Sequence, residues 1–397
     1  MADQVTLVEG DRDQHVTLEL GKQLQRLGVC QVQLTQEGEL LASNFSKIGF
    51  LRVGDTLVQI RPKVSIRKVL QLLSPSLEHF DITEGQIGIT DSEDWTFALV
   101  GFFIAACGRA LARGPLHGYK LVSEAGNLVK GRIDFSRQLK RSPGRPIPVE
   151  IDFDDFVPNI PENQMLLTAL ERLSTRLPLA HHQKRALQEF RFKLTGVETI
   201  PIHQRIPKIE ITTVNEHYRS ALRMAELIVG FQGMDTQAGD LGSDSFLIDM
   251  EKVFEKYVEN RFRFLAQDSD FTFRAQGTGE SLDRGGFVGI RPDYLWFHGV
   301  KAVGIADAKY KAFSSESQVP NSDVYQMVTY CTRYGLRDGF LIYASSPSFT
   351  LEIEESPIRV QVRGVDLSEE IQALESHLRS LHKEILLAGA TAGIATV

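Results

Sequence analysis

Two runs of β-forming residues, 288–297 and 302–311, stand on either side of a tight connection at His298-Gly299. Each carries charge where a strand should be apolar. A hairpin turning near Gly299 or Val300 sets Asp293 opposite Asp307, to within one residue of register. Directly opposed residues on an antiparallel pair have Cβ atoms about 4.5–5.5 Å apart, and like charges so placed repel. Asp307 also closes the stretch Ala302-Val303-Gly304-Ile305-Ala306, which reads as a buried strand, where charge is costly unless paired or metal-bound. A divalent cation removes the repulsion, and hard cations such as Mg²⁺ take carboxylate oxygens. Lys309, two residues on, shares the strand face of Asp307. The chain has a single Pro-Asp and a single acidic-x-Lys tripeptide, and the two fall together. Two carboxylates, an ammonium and a metal are the parts of a phosphodiester-cleaving site.

A chain of 397 residues has room for two or three domains, and its 42% hydrophobic and 24% charged residues are ordinary for a globular protein. Cys30, Cys107 and Cys331 are far apart and lack metal-ligand spacing, which argues against a disulfide framework and for a reducing cytoplasm. No signal peptide is visible at the start. The longest apolar run, 95–107, is closed by Arg109 and Arg113 well short of a bilayer span and reads as a buried helix. The net charge of −7 is unhelpful to DNA binding, which draws most of its non-specific affinity from phosphate contacts. A partner is therefore expected to supply much of the grip. Residues 130–145 form a local exception, with Lys130, Arg132, Arg137, Lys140, Arg141 and Arg145 against Asp134 alone; they read as a solvated face or a docking surface.

Along the chain, short strands at 4–8, 29–34, 39–42, 48–53 and 56–61 suggest a small β-rich module, with a helix at 18–27. The pattern turns helical from residue 66 and again at 95–111, 162–177, 181–194 and 215–229. Residues 143–158, rich in proline and charge, read as a connection or irregular strand, and 230–245 as a linker. Beyond it the order is helix (249–265), strand (271–276), the two motif strands, helix (323–334) and strand (339–344), one compact α/β layer unit. A possible further strand at 358–362, a polar helix at 368–387 and a disordered Ala/Gly/Thr tail complete the reading. There is no internal repeat, no GxxxxGK[ST] phosphate loop and no zinc-finger spacing.

Asp293 and Asp307 are the candidate metal ligands, with the Ala308 carbonyl beside them. Lys309 is placed to steer a water or to stabilise charge developing on a phosphoryl oxygen. Glu255 offers a third carboxylate to the metal, or belongs to the i, i+4 surface series Glu251, Glu255 and Glu259. Gln326 and Tyr330, four apart on one helix face, are candidate substrate contacts or packing residues, and Lys311 is a candidate contact to the DNA backbone. The His181-His182 pair reads as helix surface.

Pro292-Asp293 and Asp307-Ala308-Lys309-Tyr310-Lys311, flanked by Phe254-Glu255 and by Gln326 and Tyr330, resemble the PD-(D/E)xK nuclease superfamily. More narrowly they resemble McrC, the nuclease subunit of McrBC-type modification-dependent restriction systems. Ile60-Arg61-Pro62-Lys63-Val64, Gly131-Arg132-Ile133-Asp134-Phe135, Asp155-Phe156, Glu162-Asn163-Gln164, Asn215-Glu216-His217-Tyr218-Arg219 and Ser245-Phe246-Leu247-Ile248-Asp249-Met250 extend the likeness over residues 50–345. The resemblance implies an α+β multidomain chain. Its expected parts are a β-rich partner-docking module (1–120), a mostly helical connecting region (121–235) and a PD-(D/E)xK endonuclease domain (236–397). It also implies a Mg²⁺-dependent endonuclease, with Mn²⁺ as a substitute, binding no nucleotide itself. The expected partners are a McrB-like AAA+ GTPase or ATPase ring, which the chain would stimulate, and double-stranded modified DNA, with no membrane. Two other readings stand beside this one. The first is a non-catalytic activator or scaffold of an AAA+ protein. The second is a stand-alone exonuclease similar to RecB, suggested by the Q-x-x-x-Y spacing of Gln326 and Tyr330.

Overall fold

The computed structural model describes residues 4–11, 14–35, 40–43, 45–73, 95–141, 143–177, 179–201, 204, 206–230, 246–267, 269–277, 280–311, 319–344 and 347–394. They form two compact units. The first is discontinuous, comprising residues 1–78 and 247–397, and the second spans 79–246. The sequence-level boundaries at 120/121 and 235/236 therefore do not coincide with the packing.

The first unit opens with β1 (Gln4–Val8), β2 (Gln14–Val16), α1 (Leu18–Arg26), β3 (Gln31–Leu34), β4 (Leu40–Ser43), β5 (Lys47–Val53), β6 (Thr56–Arg61) and α2 (Ile66–Leu73). The expected β-rich start is thus present. β2, β4 and β3 form a small antiparallel sheet, while β1, β6 and β5 belong to a second one. The latter is completed by β10 (Phe246–Asp249), from the far side of the intervening unit. That strand joins the N-terminal segment to the C-terminal one through backbone hydrogen bonds, so the two do not behave as separate modules.

In the second unit follow α3 (Trp95–Ala110), β7 (Gly118–Gly126), β8 (Arg132–Ile133), α4 (Phe135–Arg141), β9 (Val149–Val157), α5 (Pro161–Arg176), α6 (His181–Lys193) and α7 (Arg219–Gly230). A mostly helical region was expected here, with a connection or irregular strand at 143–158, but β7 and β9 pair over nine residues, from Gly118↔Val157 to Gly126↔Val149, with β8 on the other edge of β9. Pro143, Pro146 and Pro148 precede β9 and Pro158 follows it, so none interrupts its ladder. Tyr218, fully buried, ties this unit together. Its hydroxyl donates to Asn163 Oδ1 (3.1 Å) and accepts from the Leu116 amide (3.0 Å). The linker expected at 230–245 lies, beyond Gly230, outside the described residues.

Past β10 the chain forms α8 (Met250–Ala266), β11 (Thr272–Ala275), β12 (Glu280–Ser281), β13 (Gly289–Ile290), β14 (Tyr294–His298), β15 (Lys301–Lys309), α9 (Asn321–Tyr334), β16 (Asp338–Ala344), β17 (Phe349–Glu352), β18 (Arg359–Val365) and α10 (Ile371–Ile394). Six strands make one mixed sheet in the order β11-β14-β15-β16-β18-β17. β14 is antiparallel to both β11 and β15, and β15, β16 and β18 run parallel. Parallel neighbours need covered faces. α9 covers the face of Ile305 and Leu341, packing Met327 and Cys331 so closely that a Cβ on Gly339 would lie 2.5 Å from both sulfurs. α10 covers the other face, where a Cβ on Gly304 would meet Ile385 at 2.6 Å, beside the ring cluster of Phe262, Trp296 and His382. α10 continues through Ile394, so most of the supposed tail is helical; its alanines favour that state. Among the described residues no helix is long and apolar enough to cross a membrane.

Candidate active site

The β14–β15 hairpin turns through Gly299-Val300, with His298 paired to Lys301 and Gly299 supplying the positive φ (60°) that a two-residue turn needs. Val303 is bulged out between the Trp296–Gly304 and Phe297–Ala302 pairs. The ladder then runs on to Tyr294↔Ala306, which brings Asp293 and Asp307 side by side, as the hairpin reading required.

Asp307 is 2% exposed, and Lys309 Nζ lies 2.6 Å from its Oδ2. That ammonium is the cation paired with the buried oxygen. Asp293 Oδ2 accepts from the Ala308 amide at 3.0 Å. Burial pushes the Asp293 carboxyl up to about 8, the charges of Asp307 and Glu255 adding to the effect. Burial raises Asp307 as well, against the pull of Lys309. Burial alone would lower Lys309, but Asp307 outweighs it and holds the ammonium above its ordinary value. Two desolvated carboxyls sharing one lysine are short of positive charge, which suits a divalent cation.

The other sequence candidates separate into two groups. Gln326 and Tyr330 of α9 join the site. Lys309 Nζ donates to Gln326 Oε1 (3.1 Å), Gln326 Nε2 to the Tyr330 hydroxyl (2.9 Å), and that hydroxyl to the Arg291 carbonyl (3.1 Å). Glu255 is near enough to raise Asp293, yet its Oε1 accepts from Gln276 Nε2 at 2.9 Å. Among the described residues no three His, Cys, Asp or Glu side chains gather closely enough to hold a metal by themselves. α8 carries Glu255 beside the Asp pair, where Gln276 holds its carboxylate through one oxygen. Glu259 is structural, buried between Lys256 and Arg263 at 2.8 Å each. Lys311 is engaged within the chain. It lies 3.3 Å from Asp323, a buried carboxylate that also accepts from the Tyr343 hydroxyl at 2.8 Å. Desolvation of Asp323 favours a cation nearby, and Lys311 supplies it.

Sequence reasoning missed Gln276, Arg291 and Asp323. A lone glutamine or arginine carries no spacing signal, although Arg291 stands two residues before Asp293. Also missed was the support behind Lys309. The next residue, Tyr310, is buried, with Lys63 Nζ 4.4 Å from its ring centroid. Glu9, buried beside them, accepts from the Lys63 amide at 3.1 Å and faces the Tyr310 hydroxyl without reaching hydrogen-bond geometry. The basic run at 130–145 is partly spent within its own unit: Arg137 pairs with Glu150 (2.9 Å) and Asp152 (2.6 Å).

Residues 44–344 match the protein family described as McrBC 5-methylcytosine restriction system component. No curated protein matches the chain. A chain in the refined half-complex from a tetradecameric assembly of Thermococcus gammatolerans McrB AAA+ hexamers with bound McrC has a similar fold. Its TM-score is 0.58 at 16% identity, covering 96% of this chain and 100% of that one. A chain of the cryo-EM structure of the Thermococcus gammatolerans McrBC complex gives 0.42 at 17% identity, over 66% of this chain and 87% of that one.

Proposed function

The chain belongs to the McrBC 5-methylcytosine restriction system component family, and from that premise we propose that it is the DNA-cutting subunit of a type IV, modified-cytosine-dependent restriction complex. One observation carries the reading: Asp293, Asp307 and Lys309 share one end of the β14–β15 hairpin, two buried carboxyls facing a single ammonium. The strand order, helix α9 behind Asp307 and the Pro-Asp/Asp-x-Lys residues support a PD-(D/E)xK core.

Asp293 and Asp307 would hold Mg²⁺, or Mn²⁺ in its place, with the Ala308 carbonyl as a further oxygen. When bound, such an ion neutralises the paired carboxylates, polarises a phosphate and lowers the pKa of a bound water. Lys309, fixed between Asp307 and Gln326, holds a full positive charge where negative charge would grow on a phosphoryl oxygen. The Ala308 amide fixes the Asp293 carboxyl, which would give up its proton to receive the cation.

An AAA+ partner of the McrB type, using GTP or ATP, is part of the proposal. The Thermococcus gammatolerans assembly contains McrB AAA+ hexamers with bound McrC. The present chain has no phosphate loop of its own and a net charge of −7. Docking was expected in residues 1–120, a span that crosses both units. The exposed apolar side chains of β7 and β9 favour the second unit for that role.

The test is co-purification with the AAA+ protein, then cleavage of methylated and unmethylated duplex DNA with Mg²⁺ and each nucleotide. Cutting should require modified DNA, partner, nucleotide and metal. Asp307→Asn should abolish it while leaving stimulation of the partner's NTPase intact; wild-type cutting by that variant would overturn the proposal. One rival reading is the non-catalytic scaffold. It predicts NTPase stimulation by the wild-type chain with no cutting at all.

A further inference from the structure

Gln276 follows β11 and sits opposite Asp293, donating its amide to the Asp293 carbonyl at 2.8 Å. Its φ is +50°, a left-handed backbone that side chains other than Gly, Asn and Asp rarely adopt. The other such non-glycine residue among those described, Glu355, lies in the exposed turn between β17 and β18. At Gln276 the unfavourable backbone accompanies a side chain with both ends engaged. Nε2 donates to Glu255 Oε1 (2.9 Å), and Oε1 accepts from an Arg291 guanidinium nitrogen (2.6 Å). The amide orientation follows from its partners, since the reverse would set oxygen against carboxylate and N–H against guanidinium. Hydrogen bonds link Glu255 through Gln276 to the Arg291 guanidinium, and a second series runs from the Arg291 carbonyl through Tyr330, Gln326 and Lys309 to Asp307.

We propose that Gln276 is a positioning residue for this site. It holds the Glu255 carboxylate and the Arg291 guanidinium at fixed places beside the Asp293–Asp307 pair, the first toward the cation and the second toward a phosphate of the DNA backbone. The inference rests on the nuclease reading. Arg291 is exposed, and one guanidinium nitrogen meets Gln276, leaving further donors for phosphate oxygens. Glycine or asparagine would suit the backbone better, but neither side chain spans from Glu255 to Arg291. The site thus keeps a residue that the local conformation disfavours, as happens where geometry serves chemistry.

The experiment uses the full chain with its AAA+ partner and modified duplex DNA, comparing wild type, Gln276→Gly, Gln276→Asn and Asp307→Asn. Both Gln276 variants relieve the backbone, so their Tm should match or exceed that of wild type. Cleavage should nevertheless fall by about 10–100-fold, with a higher half-saturating Mg²⁺ concentration, the size of effect seen when support behind a metal ligand is removed. Stimulation of the partner's NTPase should not change. Unaltered cleavage and Mg²⁺ demand, or a parallel loss of Tm and cleavage, would overturn the role given to Gln276. If Asp307→Asn also cuts like wild type, the nuclease reading itself fails. An inactive Asp307→Asn beside fully active Gln276 variants sinks only the present inference.

Discussion

Two antiparallel ladders of this molecule break the ordinary partition of side chains in opposite directions. In the first unit, β14 and β15 bury charge: Asp307 is 2% exposed among Tyr294, Leu295 and Trp296, all buried. In the second, β7 and β9 expose apolar surface. Tyr119 and Phe156 are paired across the ladder with ring centroids 5.1 Å apart, yet they are 78% and 57% exposed, and Leu121 beside them is also exposed. A buried carboxylate and a bare aromatic are each unfavourable in isolation. On the proposed function, each ladder is completed by something outside the chain, a cation in one case and a protein surface in the other.

The comparison breaks most sharply through the first ladder. Asp307→Asn or Lys309→Ala should lower cleavage of modified DNA by roughly 10²–10³-fold or more in single-turnover assays, with NTPase stimulation unchanged. Next comes stability without metal. The Asp293 carboxyl is raised from 3.8 to about 8, so between those values the folded chain binds more protons than the unfolded one. Its stability should therefore fall as pH rises from about 4 to about 8. Asp293→Asn should flatten that dependence in urea titrations at each pH. Somewhat smaller is the effect of saturating Mg²⁺. At a hundred times Kd it should stabilise the wild-type chain by about 2.7 kcal/mol, read as a rise in Tm that Asp307→Asn abolishes. The smallest concerns the second ladder. Tyr119→Ser or Phe156→Ser should weaken NTPase stimulation by about 5–30-fold, roughly 1–2 kcal/mol, while Mg²⁺-dependent stabilisation stays intact. Loss of that stabilisation would deny that the two ladders serve separate ligands.

The first ladder was legible because its signals are local. An apolar run interrupted by Asp307, a glycine turn and a period-2 relation to Lys309 set register and face together. Helices α8 and α9 announced themselves through apolar spacing, and Asp249 caps α8 by accepting from the amides of Glu251 and Lys252. The second ladder was hidden for the reason that makes it interesting. Lys120, Glu124 and exposed Tyr119 and Leu121 give β7 no inward face to recognise, and the prolines before β9 read as a break. Long-range bonds were equally invisible. Nothing near Lys311 foretells that Asp323, twelve residues on, will claim it, and nothing near Gln276 foretells Arg291.

One earlier contact changes how the N-terminal strands should be regarded. Lys63 lies over the ring of Tyr310, the residue immediately after Lys309, and Glu9 backs both. The opening segment is therefore a buttress rather than an appendage. In a chain beginning after residue 65, the strand carrying Lys309 would have lost the wall it leans on.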